Sequence, residues 1–528
     1  PTSLKIRVSN VIAHEMAHQW FGDLVTMKWW DDLWLNESFA TFMSYKATGN
    51  IHPEWDMEAN FVLWETSGAL KDDSLSITHP IEAHVENPAE IEHMFDNISY
   101  GKGASILRMI EAYVSPEGFR RGVINYLKEH SFSNAEGKDL WTSISKVTGE
   151  DINSIMEDWI RKPGHPIVYV NVEGNNVRLT QRRFSLLNNV ENLIYKIPLT
   201  LEINGKAQSI LFDKESMEIE SNEEIKSLKV NLNRTGFYRV HYNNLNVVFN
   251  ANLNNLEKWG IVNDYWDFLL AGIVSFDEYR SLVNKFQNEN KDHLPIRSIT
   301  SNISTLLSIN PEKYKGFAKE FLVNQYKIWK NRSGEIDKLV YATILRTLVE
   351  ADDSFALGLS NEFKYYDQID PNEKDAVVEA YGIATGDFNT LYSKYKSYQF
   401  DEDKLRMLSG MEEIRDPSIV DKLFSLIFNN EIKKQDSVFV MIGLSYNPYV
   451  REELYSYMLA NFSKIKDFVN NVWGGPWGLG RIIRSAMVYI GVDHPKEVIE
   501  FLEKIKYPEI ERDVKIAIEY IQAYSKLK

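Results

Sequence analysis

Two histidines four residues apart, with a glutamate between them, open the stretch "VIAHEMAHQWFGDLVTMKWWDDLWLNESFA", Val11 to Ala40. On a helix, residues at that spacing share a face, with Cβ atoms ~5–6 Å apart. His14 and His18 can therefore aim two imidazoles at one ion. Glu15 lies one step round, close enough to act on water at that ion without becoming a ligand. Zinc suits the set, because imidazole and carboxylate are its usual catalytic ligands and one position must stay open. With 11 histidines in 528 residues, chance yields His-Glu-x-x-His only roughly 0.02 times. A metal is therefore preferred over a helix that merely carries two solvated histidines.

A catalytic ion needs a third protein ligand, and Glu37 follows His18 by 19 positions. The pattern predicts one helix ended by Gly22 and a second one capped by Asp31 or Asp32, burying Leu33, Phe39 and Phe42. Helix, connector, helix is the arrangement that brings a distant carboxylate over the histidine pair. A glutamate in a first helical turn is usually just a partner for the dipole. With the His pair upstream at this spacing, the ligand reading is preferred.

The bulk numbers frame that site. A chain of 528 residues exceeds one core, and about 150 residues per domain suggests three or four. Net charge is −16, and no basic patch interrupts it, so neither nucleic acid nor an anionic membrane is an expected partner. No apolar run approaches the ~20 residues of a membrane helix. The chain has no cysteine, which removes disulfides, thiolate nucleophiles and Cys-type zinc sites and suits a reducing cytoplasm.

Three zones follow along the chain. Residues 1–163 read as helical and rich in Trp. From "HPIVYVNVEGNNVRLTQRRF" the period becomes two, with a turn at Gly174–Asn176. "KIPLTLEINGKAQSILF" repeats this around Asn204–Gly205, a strong hairpin signal, and "SLKVNLNRTGFYRVHY" supplies further strands. This small β module occupies 164–246. Residues 247–528 return to helical periodicity, punctuated by Asn310–Pro311, Asp370–Pro371, Asp416–Pro417 and Asn447–Pro448. Asn or Asp suits an N-cap and Pro the next position, so a solenoid-like array of short helices is expected. His494–Pro495 and Tyr507–Pro508 are weaker versions of the device.

"HEMAHQWFGDLVTMKWWDDLWLNESFA" resembles the gluzincin metallo-aminopeptidases, the group that includes aminopeptidase N and puromycin-sensitive aminopeptidase. "ISYGKGASILRMIEAYV" (Ile98–Val114) is similar to the family's tyrosine segment, and "WIRKPGHPIVYV" (Trp159–Val170) to its junction into the β module. The details are most similar to the archaeal tricorn-interacting aminopeptidases. The resemblance implies a multidomain, mainly α chain: the helical part of a thermolysin-like catalytic domain, a small β-sandwich and a C-terminal helical array. It implies one Zn2+ held by His14, His18 and Glu37, Glu15 as general base and acid, and Tyr100 as hydrogen-bond donor to the oxyanion. The implied substrates are short peptides, trimmed from the N-terminus in the cytoplasm.

Members of this family also carry a G-x-M-E-N segment that grips the substrate amine, after an N-terminal β domain. Neither occurs in this sequence. The expectation is that the rest of the same enzyme, or a separate chain, supplies them and covers Val11, Ile12 and Phe21. Without the amine-binding segment two other readings stand beside aminopeptidase: a zinc hydrolase of other substrates, and a non-catalytic peptide-binding or scaffold subunit. The intact set of five site residues argues against the second. "GKGAS" (Gly101–Ser105) lacks Walker spacing and is not read as a phosphate loop. His79, His84 and His93 are expected to be solvated rather than a second metal site. "WGGPWGLGRIIR" (Trp473–Arg484) is a helix-to-helix loop, or else presents Arg481 or Arg484 to a peptide carboxylate.

Overall fold

The computed structural model of the chain describes residues 1–82, 84, 95–470, 472 and 476–528. The chain is mostly helical, and it divides into two compact units. One comprises Thr2–Tyr279 with Asp292–Ser298; the other comprises Arg280–Lys291 with Ile299–Lys528. Among the described residues no helix is long and apolar enough to cross a membrane.

The first unit begins with α1 (Thr2–Ala17) and α2 (Leu33–Ile51). The expected stop at Gly22 is five residues late. From His18 the chain unwinds, because the amides of Asp23, Leu24 and Val25 return to the carbonyls of His18, Gln19 and Trp20. Gly22, at φ +143°, makes that return possible. It leads into β1 (Val25–Met27), paired in parallel with β2 (Ser133–Ala135).

Asp32 stands at the N-cap of α2, yet its side chain makes no capping bond. It is buried instead, and burial pushes its carboxyl up to about 6. Asp31 sits in the short turn before α2 and meets exposed His84 at 3.2 Å. Leu33, Phe39 and Phe42 are buried as expected. Phe21 is buried too, stacked on Phe39 at 4.4 Å between centroids, so it does not join the outward face foreseen for it. Val11 and Ile12 do, at 51% and 56% exposure, in a stripe with Leu4, Val8 and Met16.

The β module forms two sheets. The first has the order β7 (Ser216–Glu220), β4 (Asn176–Arg183), β3 (Pro166–Glu173), β9 (Arg239–Tyr242). The second has β6 (Lys206–Phe212), β5 (Ile197–Ile203), β8 (Leu228–Val230). The β5–β6 hairpin turns at Asn204 (φ 48°) and Gly205 (φ 81°), the two left-handed positions that Asn-Gly favours.

The second unit is a succession of helices from Pro311–Trp329 to Glu511–Ser525, with no strand among its described residues. The Asn/Asp–Pro device splits in two. Asn310 caps the backbone of Lys313 with Pro311 at the first helical position. Asp370, Asp416 and Asn447 instead bond the amide two residues on, and their helices start only at Lys374, Ile419 and Arg451. Side-chain closure over two residues competes with capping, so these prolines sit in turns ahead of the helix. Pro495 opens its helix at the first position, whereas Pro508 opens only a short 3₁₀ turn.

Candidate metal centre

His14 lies near the end of α1, and His18 in the turn just beyond it, one helical step further on. Glu37 reaches them from the second turn of α2, not the first, so a dipole role is not its explanation. The three bring their ligand atoms together: His14 Nε2 to His18 Nε2 is 3.1 Å, His14 Nε2 to Glu37 Oε2 is 3.3 Å, and His18 Nε2 to Glu37 Oε2 is 3.4 Å. A tetrahedral ion with bonds of about 2.0–2.1 Å separates its ligand atoms by about 3.3–3.4 Å. The triangle therefore has the right edge for zinc. Among the described residues this is the only group of three or more His or carboxylate side chains so disposed.

The far nitrogens are oriented from behind. His18 Nδ1 lies 3.0 Å from the Phe21 carbonyl, which can only accept, so Nδ1 carries the proton and Nε2 presents its lone pair. His14 Nδ1 lies 3.4 Å from Thr41 Oγ1. Sequence reasoning missed both partners. Thr41 was findable: it lies four residues past Glu37 and so on the same face of α2.

Among the side chains alone, the Glu37 hydrogen bond raises His18 to about 9, against the opposing effect of burial. Burial works to raise the Glu37 carboxyl, but bonds from His14 and His18 overcome it and hold it at about 2. That charge complementarity is what a cation would replace: two imidazole lone pairs and a carboxylate that stays ionised. Side-chain exposures of 16%, 21% and 13% for His14, His18 and Glu37 leave the site reachable.

Tyr100 lies beside this triangle. Its ring is 6.0 Å from the His14 ring at 24°, and its hydroxyl is within hydrogen-bonding reach of Glu37. Burial and then the Glu37 charge keep its proton on well above the ordinary range. Glu15 is exposed, and its charge is felt by both His18 and Tyr100. The five residues singled out in the sequence thus gather in one place.

The histidines set aside fare differently. His79 is not simply solvated: its Nε2 meets Asp96 at 2.7 Å in a partly buried contact. His84 is exposed, and His93 lies outside the described residues. Arg484 lies 3.6 Å from Asp513, and Arg481 lies over the Phe439 ring. Trp473–Gly475 lie outside the described residues.

Comparison with known proteins gives the family. Residues 1–159 match the Peptidase family M1 domain, and residues 227–523 match the ERAP1-like C-terminal domain. A probable aminopeptidase 1 of Sulfurisphaera tokodaii is 56% identical over 526 residues, covering 100% of this chain and 67% of that protein. A probable aminopeptidase 1 of Saccharolobus solfataricus is 55% identical, over 100% of this chain and 66% of its own length. Tricorn protease-interacting factor F2 of Thermoplasma volcanium is 40% identical, over 99% and 66%. The chain spans about two thirds of the length of these relatives. On both family domains and on this degree of identity, the chain belongs to peptidase family M1.

Proposed function

We propose that the protein is a zinc-dependent aminopeptidase that removes N-terminal residues from short peptides in the cytoplasm. The observation that carries this reading is the His14–His18–Glu37 triangle, with edges of 3.1, 3.3 and 3.4 Å, in a chain of this family. Two relatives bear the name aminopeptidase, and a third is named for interaction with tricorn protease. That combination supports trimming of short peptides left by such a protease. In this reading residues 1–163 supply the helical part of the catalytic domain, 164–246 a small β-sandwich and 247–528 a superhelical array.

His14, His18 and Glu37 would hold one Zn2+, which supplies Lewis acidity for polarising a carbonyl and acidifying water. The Glu15 carboxylate takes the proton from the attacking water and delivers it to the departing amine. The Tyr100 hydroxyl, kept protonated by burial and by the Glu37 charge, donates a hydrogen bond to the oxygen as negative charge grows on it. Both groups belong to this chain; Glu15 is exposed and Tyr100 partly buried.

Glu15→Gln in the complete enzyme should retain zinc by metal analysis and lose about 10²–10⁴-fold in hydrolysis of aminoacyl fluorogenic substrates. Undiminished turnover would remove Glu15 from the mechanism. Equal cleavage of N-acetylated and free-amine peptides would overturn the exopeptidase reading while leaving the zinc site standing.

A further inference from the structure

Tyr100 stands in the middle of a π-type turn, Ile98–Lys102. Its marking bond runs from the Lys102 amide to the Asn97 carbonyl, five residues back, at 2.9 Å. Such turns are rare and gather at functional sites, because their wide ring needs support from outside. Here the support comes from three directions. Asp96 Oδ1 accepts the amides of Ile98 at 2.9 Å and Ser99 at 3.1 Å. The Ser38 hydroxyl donates to the Ser99 carbonyl at 2.6 Å. Ser38 follows Glu37 on α2, so one helix carries both the carboxylate and a strap to the tyrosine turn. The approach is close enough that a Cβ on Gly103 would lie 1.9 Å from Ser38 Oγ.

The third support is a sealed ion pair. Lys102 ends the turn, and its Nζ meets Asp73 Oδ2 at 3.0 Å, with both side chains at 0% exposure. The same ammonium donates to the Gly164 carbonyl at 3.0 Å. The other Asp73 oxygen accepts the Gly164 amide at 3.0 Å and the Thr78 hydroxyl at 2.7 Å. Thus the "ISYGKGAS" and "WIRKPGHP" segments, apart in sequence, are tied at one buried point at the end of the tyrosine turn. Apolar residues of the same volume would serve stability as well as a buried pair or better. What the pair adds is direction: a buried lysine held by one carboxylate and by the Lys162 and Gly164 carbonyls fixes the end of the turn in one place.

We propose that the Lys102–Asp73 pair, with the Ser38 strap, is a positioning device that sets where the Tyr100 hydroxyl stands. The inference rests on the aminopeptidase reading above, in which Tyr100 acts on the substrate. Lys102, Asp73 and Ser38 touch neither substrate nor metal ligand atoms; they act through the turn.

The test is a double-mutant cycle in the zinc-loaded complete enzyme. Lys102→Met with Asp73→Asn removes both charges and keeps an oxygen for the Gly164 and Thr78 donors. This variant should lose tenfold to a hundredfold in kcat, with KM and zinc content little changed, since an ångström of misplacement is enough. Tyr100→Phe should be severe in the unaltered enzyme and nearly silent in the double variant. Hydrogen exchange on the metal-free proteins supplies a second readout: the Gly101 and Lys102 amides should exchange at least tenfold faster in the double variant, with α1 unchanged. If the double variant does not fold, Ser38→Ala decides the matter through the same cycle. An equal effect of Tyr100→Phe in both backgrounds, with unchanged exchange, would overturn the positioning role. A silent Tyr100→Phe in the unaltered enzyme would instead strike the role of Tyr100 itself.

Discussion

At His18 an imidazole meets the carboxylate of Glu37 at 3.4 Å; at His165 another meets that of Asp73 at the same distance. Their protons behave in opposite ways. His18, partly exposed, is raised to about 9, chiefly by its bond with Glu37. His165, fully buried, is lowered to about 4 by burial first, with Arg239 and Lys102 adding positive charge nearby. Proximity to a carboxylate therefore does not decide what an imidazole does. Solvent access and the charge of the remaining neighbours do. At the triangle the acid meets two imidazoles at a site reachable from solvent, as a catalytic ligand set requires. Around Asp73 the acid already has Lys102, and nothing reaches it from outside.

Exchanging the two acids should break this contrast most visibly. Asp73→Asn leaves the Lys102 charge buried without its partner, which should cost about 3–5 kcal/mol in unfolding free energy, with zinc affinity unmoved. Glu37→Ala should do the reverse: zinc is lost on dialysis, while the metal-free protein melts within a few degrees of the parent. Calorimetry beside metal analysis reads both, and a Glu37→Ala protein that keeps stoichiometric zinc would remove Glu37 from the ligand set.

A smaller effect belongs to Thr41, whose hydroxyl lies 3.4 Å from His14 Nδ1. Outer partners of ligating histidines are worth about 10–100-fold in metal affinity. Thr41→Val should fall at the lower end of that range in a competitive chelator titration. No change would mean that the His14 ring is held by packing alone.

The pH dependence should be the subtlest test. In the metal-free protein the folded value for His18 lies above its ordinary 6.5, at about 9. Its contribution is therefore complete below pH 6.5 and is lost as pH rises through 9. His165 runs the other way, with a folded value of about 4. It imposes nothing above pH 6.5 and destabilises progressively as pH falls from 6.5 towards 4. For partly exposed His18, solvent screening leaves the effect at no more than about 1 kcal/mol. Urea midpoints of the metal-free protein should decline from pH 6.5 to 9, and zinc should flatten that decline because it claims the same nitrogens. A decline that zinc leaves intact would assign it to other groups.

Much of the site was legible because it is local. The i, i+4 spacing puts His14 and His18 on one face wherever the helix forms, and Asn204–Gly205 selects its turn through two left-handed φ values. Misreadings arose where a residue had a competing tertiary or local partner. Asp32 reads as a cap but is buried without a capping bond, and Asp370, Asp416 and Asn447 read as caps but close on their own backbone. Phe21 reads as outward-facing, yet the five-residue return after His18 lays it on Phe39.

By itself the sequence determined which groups could do chemistry and that two of them must point the same way, since a helical period needs no information beyond its own residues. Tertiary structure alone decided that Glu37 closes the triangle, that the Phe21 carbonyl selects the His18 tautomer, and that Lys102 finds Asp73 at the end of the tyrosine turn. Glu37 and Asp73 lie far along the chain from their partners, and the Phe21 carbonyl reaches His18 only through the return after α1, so how the elements pack, and not a helical period, sets these distances.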